Sequence, residues 1–333
     1  MAQDSKDIVI SIIIPMYNSA RTVIETLDSV RKQSFDLWEV ICIDDGSTDE
    51  SFLLVEEYAK KYSRFSVYKR DSLLKGGSVC RNEGAHIAKG NYLIFLDADD
   101  LLSPSCLKDR LKTIENTGYD FVVYPMASFI DNINDAKMYS RLKAKNELYC
   151  FASGAPTWQV TSPIIRKSFF DSIGGFDEQF QRYQDVEFHL RAIINSNFNY
   201  RIMRNNAPDC FYRNSISFKS SSVKLENSLV ACLQILKLFR SFKSKIGKER
   251  AYPMAIASIY MNYMLFYYGL KQINNKASFS IDNDYLNEVK REVGDKWGKL
   301  LSYIVSLPYN RINLFKVKVM RKLVYFIISR NLL

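Results

Sequence analysis

The sequence predicts an α/β fold, a mostly parallel sheet flanked by helices, followed by a mainly α-helical C-terminal region. Three observations predict it. Apolar, β-branched runs alternate with helix-period segments through about residue 125. These runs end in proline, glycine or clustered aspartate. From about residue 222 the spacing is helical throughout. Strands alternating with helices at this spacing build βαβ units and hence parallel strands.

The elements follow in order. "IVISIII" (8–14) is an unbroken apolar run, as a strand buried on both faces requires, and Pro15 ends it. Residues 19–33 carry Val23, Leu27 and Val30 on one helical face, with Ser19 placed to cap. "EVICI" (39–43) is a second strand, "ESFLLVEEYAKKY" a helix, and "FSVYK" (65–69) a third strand. "GSVCRNEGAHIAKG" reads as a helix closed by Gly90, and "NYLIFL" (91–96) as the fourth strand. A helix with Pro104 at its start and Gly118 past its end leads to a fifth strand at 120–125. Beyond it the pattern weakens to strands at 159–165, 200–203 and 210–213 and helices at 166–173 and 184–196. Helices are then expected at 223–246, 251–273, 282–305 and 315–331. Two regions result: an α/β domain at 1–218 and a basic helical region at 219–333.

Charge separates the same two regions. Residues 1–218 hold 26 Lys+Arg against 29 Asp+Glu, and residues 219–333 hold 20 against 7. The second region is suited to an anionic partner, whether phospholipid head groups, nucleic acid or an anionic polymer. It shows no nucleic-acid motif, so nucleic acid is not the expected partner. The six cysteines are scattered without a CxxC pair, which points to buried free thiols in a reducing, cytoplasmic compartment. The opening residues "MAQDSKD" have no signal-peptide apolar core. The uncharged stretch 251–270 contains Pro253, Asn262 and five tyrosines, which suits a buried or interfacial helix better than a membrane span.

In parallel sheets ligands bind beyond the carboxyl ends of the strands. "IPMYN" (14–18), "IDDGS" (43–47), "KRDS" (69–72) and "LDADD" (96–100) all follow strand ends and should share one rim. In "FLDADD", Asp97, Asp99 and Asp100 crowd behind a buried strand. Mg²⁺ or Mn²⁺, completed by substrate phosphates, would relieve that repulsion. Residues i and i+2 of an extended chain point the same way, so Asp97 and Asp99 can share a site. Asp100 would point away and tolerate change best. The plainer alternative is a solvated acidic turn.

In "DDGSTDES" (44–51), Ser47, Thr48 and Asp49 are accounted for by capping, but Asp44 and Asp45 are not. A carboxylate at that strand end could accept from a base N–H or a ribose hydroxyl. In "KGGSVCRNEG" (75–84), Lys75 and Arg81 flank a helix N-terminus, where an anion is favoured; a simple turn is the alternative. In "YQDVEFHLR" (183–191), Asp185 opens a helix just after the glycine turn of "IGGFDE"; taken alone it is a helix-dipole partner.

Taken together, "SIIIPMYN", "IDDGSTDES", "GGSVCRNEGAHIAKGNYLIFLDADD", "IGGFDE" and "QDVEFHLR" resemble a family 2 glycosyltransferase with the Rossmann-like GT-A fold, of the bacterial polysaccharide, lipopolysaccharide or capsule type. The resemblance covers about residues 8–215. It implies that Pro15, Tyr17, Asn18 and Asp45 line a nucleotide pocket, with Asp45 on the base. Lys75, Arg81, Asp97 and Ala98 join the nucleotide-sugar site, and Asp99 with Asp97 holds Mn²⁺ or Mg²⁺. Asp185 is implied as the catalytic base of a single, inverting displacement from a UDP-sugar to a hydroxyl of a glycan or lipid-linked acceptor. Two departures stand out: Gln184 replaces the usual Glu before Asp185, and the usual Asn is missing around "RDSLLKGG". Arg213 is a candidate reinforcement for the diphosphate, and Trp158 could stack on a sugar or pack in the core.

Two other readings compete: a DxD phosphohydrolase with Asp97 as nucleophile, and a non-catalytic membrane- or polymer-binding module. The basic segment 312–333 mixes Lys/Arg with large apolar residues. It suits either a helix lying at the inner face of the cell membrane or a packed bundle with a basic outer face. Nothing in the sequence sets the oligomeric state.

Overall fold

The computed structural model describes residues 8–139, 142, 146–152, 156–214 and 222–247, with 252, 255–256, 258–260, 262–263 and 291. The chain divides into two compact units. The first comprises Met1–Lys143, Trp158–Gln179 and Arg191–Ser217; the second comprises Ala144–Thr157, Phe180–Leu190 and Phe218–Leu333. The second unit therefore takes in two segments that precede the boundary expected at 218.

The elements are β1 (Ile10–Met16), α1 (Val23–Arg31), β2 (Trp38–Asp44), α2 (Ser51–Lys61), β3 (Phe65–Lys69), α3 (Gly77–Ile87) and β4 (Tyr92–Phe95). Then come β5 (Leu101–Leu102), α4 (Cys106–Ile114), β6 (Phe121–Val123), β7 (Met126–Phe129), β8 (Lys137–Met138) and α5 (Glu147–Ala152). The last are β9 (Pro163–Arg166), α6 (Lys167–Ser172), α7 (Gln184–Asn195), β10 (Tyr200–Ile202), β11 (Cys210–Arg213), α8 (Ser222–Ser241) and α9 (Lys243–Ile246).

The main sheet of the first unit has seven strands in the order β10-β6-β9-β4-β1-β2-β3. All run parallel except β9, which is antiparallel to both of its neighbours. The expected mostly parallel α/β sheet is therefore present. A second sheet, β5-β11-β7-β8, joins three strands too short to show a period in the sequence to β11.

Period-2 alternation explains how β1 holds the layers together. Ile10, Ile12, Ile14 and Met16 join a core with Val23, Leu27 and Val30 of α1. Each such side chain, fully buried, contributes roughly 1.5–3 kcal/mol. Ile13 faces the other way, towards α3. There Gly84 approaches so closely that a Cβ would lie 2.5 Å from Ile13 Cγ2. This contact brings α3, and with it Arg81, against the sheet.

Two expectations need correction. The first helix begins at Val23, not at Ser19, whose carbonyl instead accepts from the N–H groups of Thr22 (3.0 Å) and Val23 (2.9 Å) in a preceding turn. Trp158 is fully buried, with its ring 6.4 Å from that of Tyr200, so it packs in the core and is not available to stack on a sugar. All six cysteines are buried free thiols, as expected. Burial pushes the Cys42 and Cys80 thiols up to about 12.

In the second unit, the Phe151 ring of α5 lies 5.2 Å from the His189 imidazole of α7. Tyr149 Oη and Ser258 Oγ are 2.9 Å apart in a buried hydrogen bond. Tyr252, Ile256, Ile259, Tyr260 and Tyr263, from the uncharged stretch, are buried as a packed helix requires. Among the described residues no helix is long and apolar enough to cross a membrane. The helices expected at 282–305 and 315–331 lie outside the described residues, Arg291 excepted.

Candidate nucleotide-sugar site

The carboxyl ends of β4, β1 and β2 lie side by side, and the chain leaving each of them borders one pocket of about 560 Å³. β1 supplies Pro15, Tyr17 and Asn18; Asp45 follows β2; Asp97, Ala98 and Asp99 follow β4; Arg81 comes from α3. Eight of the ten residues singled out in the sequence therefore share one cavity in the first unit. Lys75 is exposed on the loop before α3 and is not among the lining residues. Asp185 is half-buried in the first turn of α7, in the second unit.

The wall on the β1–β2 side is internally bonded. Asn18 adopts a positive φ of 50°. Its backbone N–H donates to Ser47 Oγ (2.9 Å), and its Oδ1 accepts from Thr48 N–H (2.8 Å). Asp49 accepts from the N–H groups of Ser51 (3.0 Å) and Ala20 (3.2 Å). Ser47, Thr48 and Asp49 thus tie down the loop after β1, and Asp49 alone of the run meets the start of α2, whose N-cap residue Glu50 makes no side-chain cap bond. Asp44 is buried, and its Oδ2 accepts from the N–H groups of Gly46 (3.2 Å) and Ser47 (3.1 Å), which closes the turn.

Asp45 is held from two sides: Arg70 Nε donates to Oδ1 at 2.6 Å and Gly76 N–H to Oδ2 at 2.9 Å. The same Arg70 also donates to the Ser72 carbonyl. The pair is largely enclosed, with side-chain exposures of 11% and 16%. Sequence reasoning missed Arg70, although it follows β3 in the "KRDS" segment expected at the rim.

Three consecutive residues of α3 each brace a different loop. Arg81 Nη2 donates to Asp97 Oδ1 at 2.6 Å, and its guanidinium carbon lies 5.4 Å from the Phe176 ring centroid. Asn82 Nδ2 donates to the Phe176 carbonyl (2.9 Å), and its Oδ1 accepts the Phe176 N–H (2.9 Å). Gly175, at a φ of +63°, leaves room for this contact, since a Cβ there would lie 2.6 Å from Asn82 Oδ1. Glu83 accepts from the N–H groups of Asp71 (3.1 Å) and Ser72 (2.8 Å).

The turn after β4 differs from the β2 side. Asp97 has Arg81 as partner. Asp100 is 1% exposed, accepting from Thr161 Oγ1 (3.1 Å) and from the Arg213 N–H (3.0 Å). It points away from the pocket as expected, but into the protein, so the expectation that it tolerates change best is reversed. Burial, with the charges of Asp97 and Asp99, holds its carboxyl well above the usual range. Asp99 accepts only from its own backbone N–H among the described residues. Burial first, and then the charge of Asp97, push it up to about 6. A carboxylate left in that condition beside a half-paired one is a fit for a hard divalent cation whose other ligands are phosphate oxygens and water. Among the described residues no set of three His, Cys, Asp or Glu side chains is gathered to hold a metal.

AmsB, an amylovoran biosynthesis glycosyltransferase of Erwinia amylovora, is 32% identical over 195 residues, 56% of this chain and 64% of AmsB. The poly(ribitol-phosphate) β-N-acetylglucosaminyltransferase TarS of Staphylococcus aureus is 23% identical over 330 residues, 97% of this chain and 53% of TarS. The chain therefore spans less than two thirds of the length of these relatives. A crystal structure of S. aureus TarS in complex with UDP shares the fold with a TM-score of 0.59, at 20% identity, over 89% of this chain and 86% of that one. The profile described as Glycosyl transferase family 2 matches residues 11–210, which hold the whole pocket, and the chain belongs to that family.

Proposed function

We propose that this protein transfers a sugar from a nucleotide-sugar donor, a UDP-sugar, to a hydroxyl of a glycan or lipid-linked acceptor, with inversion at the anomeric carbon. One observation carries the reading. A single pocket joins an arginine-paired Asp97, an unpaired Asp99 and the start of α3 at the end of a parallel strand. That is a site built for a diphosphate and its counter-charge. Tyr17, 58% exposed at the mouth, offers a stacking face for a base. Asp45, oriented by Arg70 and Gly76, presents an acceptor to a base N–H. Asp99, with the second oxygen of Asp97, would hold Mn²⁺ or Mg²⁺. A cation there supplies charge neutralisation for the departing nucleoside diphosphate. Asp185 is the proposed base that takes the proton from the acceptor hydroxyl. The UDP held by the TarS structure and the polymer acceptor in the TarS name support the donor and acceptor classes. The excess of Lys+Arg in 219–333, 20 against 7 Asp+Glu, supports contact with an anionic surface, either a polymer acceptor or the inner face of the membrane.

A test is to incubate the full chain with a panel of UDP-sugars and Mn²⁺ and to follow UDP release. Asp185→Asn should retain UDP binding and lose transfer by about a hundredfold or more, the usual worth of a general base. Wild-type transfer by that variant would remove Asp185 from the chemistry. A wild-type chain that neither transfers sugar nor binds UDP with Mn²⁺ would favour the non-catalytic module.

A further inference from the structure

The turn after β4 is fastened through its backbone carbonyls. Thr22 Oγ1 donates to the Ala98 carbonyl at 2.9 Å, and the Asp97 carbonyl accepts the Asp100 N–H at 3.0 Å. Arg213, at the end of β11, makes two contacts that bracket Asp99. Its Nε donates to the Asp99 carbonyl at 2.9 Å, and its own N–H donates to Asp100 Oδ1 at 3.0 Å. The guanidinium is itself fixed: Nη2 reaches Glu25 Oε2 of α1 at 2.5 Å, and Cζ lies 4.4 Å from the Phe129 ring centroid of β7. Every backbone carbonyl from 97 to 99 therefore has a donor, and so do the carboxylates on either side of Asp99. Among the described residues, the Asp99 carboxylate and the second oxygen of Asp97 are the carboxylate groups of the turn left to meet a ligand.

We propose that Arg213 is a positioning residue that fixes the peptide after Asp99 and so aims the Asp99 carboxylate at the cation, with Glu25 holding the guanidinium in register. The proposal rests on the reading above that Asp99 takes a divalent cation. A planar guanidinium suits the task, because it can donate to the carbonyl and the Glu25 carboxylate at once in fixed directions. It also separates two roles open to a basic residue here. If Arg213 bound the diphosphate directly, Glu25 would compete with the ligand. If Arg213 positions Asp99, Glu25 assists it, and the two carry the same sign.

The experiment measures Mn²⁺ affinity by the EPR signal of free Mn²⁺ in the presence of UDP, and UDP affinity in EDTA. It is done on the full chain for wild type, Arg213→Gln, Glu25→Gln, Thr161→Val and Asp99→Asn, with thermal unfolding of each. Arg213→Gln should weaken Mn²⁺ binding by about 10–100-fold, the usual effect of losing an outer partner of a metal ligand. UDP affinity in EDTA should stay unchanged. Glu25→Gln, a change at a half-exposed side chain, should weaken Mn²⁺ binding in the same direction by a few-fold, and Thr161→Val likewise. If Arg213→Gln does not fold, Glu25→Gln decides. Unchanged Mn²⁺ affinity in Glu25→Gln and Arg213→Gln would overturn the proposal, as would tighter UDP binding in Glu25→Gln. If wild type and Asp99→Asn bind Mn²⁺ equally, the cation reading itself falls and the proposal with it. If only Asp99→Asn loses Mn²⁺, that reading stands and the positioning role fails alone.

Discussion

The loop after β2 and the turn after β4 face each other across one pocket, and both are dense in aspartate. Their carboxylates are in opposite conditions. On the β2 side Asp44 closes its own turn, and Asp45 is bonded by Arg70 and Gly76. On the β4 side Asp97 has Arg81 and Asp100 is enclosed, while burial first, and then the charge of Asp97, push Asp99 up to about 6. The carboxylates of the first wall are already held by donors before a ligand arrives, apart from the buried Asp44 Oδ1, and the other wall lacks a positive charge. The difference shows how a single sheet edge can separate recognition from chemistry: a satisfied carboxylate orients a ligand, and an unsatisfied one waits for a cation.

The largest expected effect comes from breaking the incomplete side. Asp99→Asn should reduce transfer by on the order of a hundredfold or more, beyond the loss typical of an outer partner, and remove the dependence on Mn²⁺. Its pH behaviour gives the sign. The fold raises the Asp99 pKa from 3.8 to about 6, so it favours the protonated form. That contribution to stability is full below the ordinary carboxylate value and is lost as pH rises through about 6. Metal-free Asp99→Asn should therefore unfold at a higher temperature than wild type at pH 8 and lose this advantage at pH 4. Wild-type Mn²⁺ affinity should fall as pH drops through about 6, and equal unfolding temperatures at both pH values would contradict the assignment.

Next comes Asp100. Its replacement by alanine leaves the buried Thr161 hydroxyl and the Arg213 N–H without an acceptor, a loss of about 1–3 kcal/mol for each buried group so exposed. Asp100→Ala should lower the unfolding midpoint by several degrees. Asp100→Asn, which keeps the shape and one acceptor, should cost less. If Asp100→Ala unfolds with wild-type stability, the enclosed turn is not what holds this wall.

The smallest effect is expected on the complete side. Arg70→Ala should weaken UDP binding about tenfold, the worth of roughly 1.4 kcal/mol. It should leave the Mn²⁺ requirement intact, because Asp45 loses its orientation but the cation side is untouched. Loss of Mn²⁺ dependence in Arg70→Ala would mean that the two walls are not separate.

The sequence shows the long elements clearly, because period and strand-end punctuation are local. β1, β2, β3 and β4 and the helices between them lie close to where their apolar runs place them, and the strand-end rule brings eight of the ten candidate residues into one pocket. What it hides is set by contacts distant in the chain. β5, β7 and β8 span two to four residues and have no period to read; β11 gathers β5 and β7, and β7 in turn pairs with β8. The partners of Asp100 come from residues 61 and 113 positions away, so its burial could not be inferred from "FLDADD". Arg70 was legible by position, following the end of β3, but its contact with Asp45 depends on the β2–β3 pairing that places those ends together. The excess positive charge of 219–333 is plain from composition, whereas its partner is a matter of chemistry outside the chain.

Calorimetric titration of UDP into the metal-free wild-type protein, with and without Mn²⁺, tests the central claim most directly. The account predicts weak binding without Mn²⁺, strengthened at least tenfold when Mn²⁺ is added, and no such gain in Asp99→Asn. UDP binding of equal strength with and without Mn²⁺, in both proteins, would contradict it.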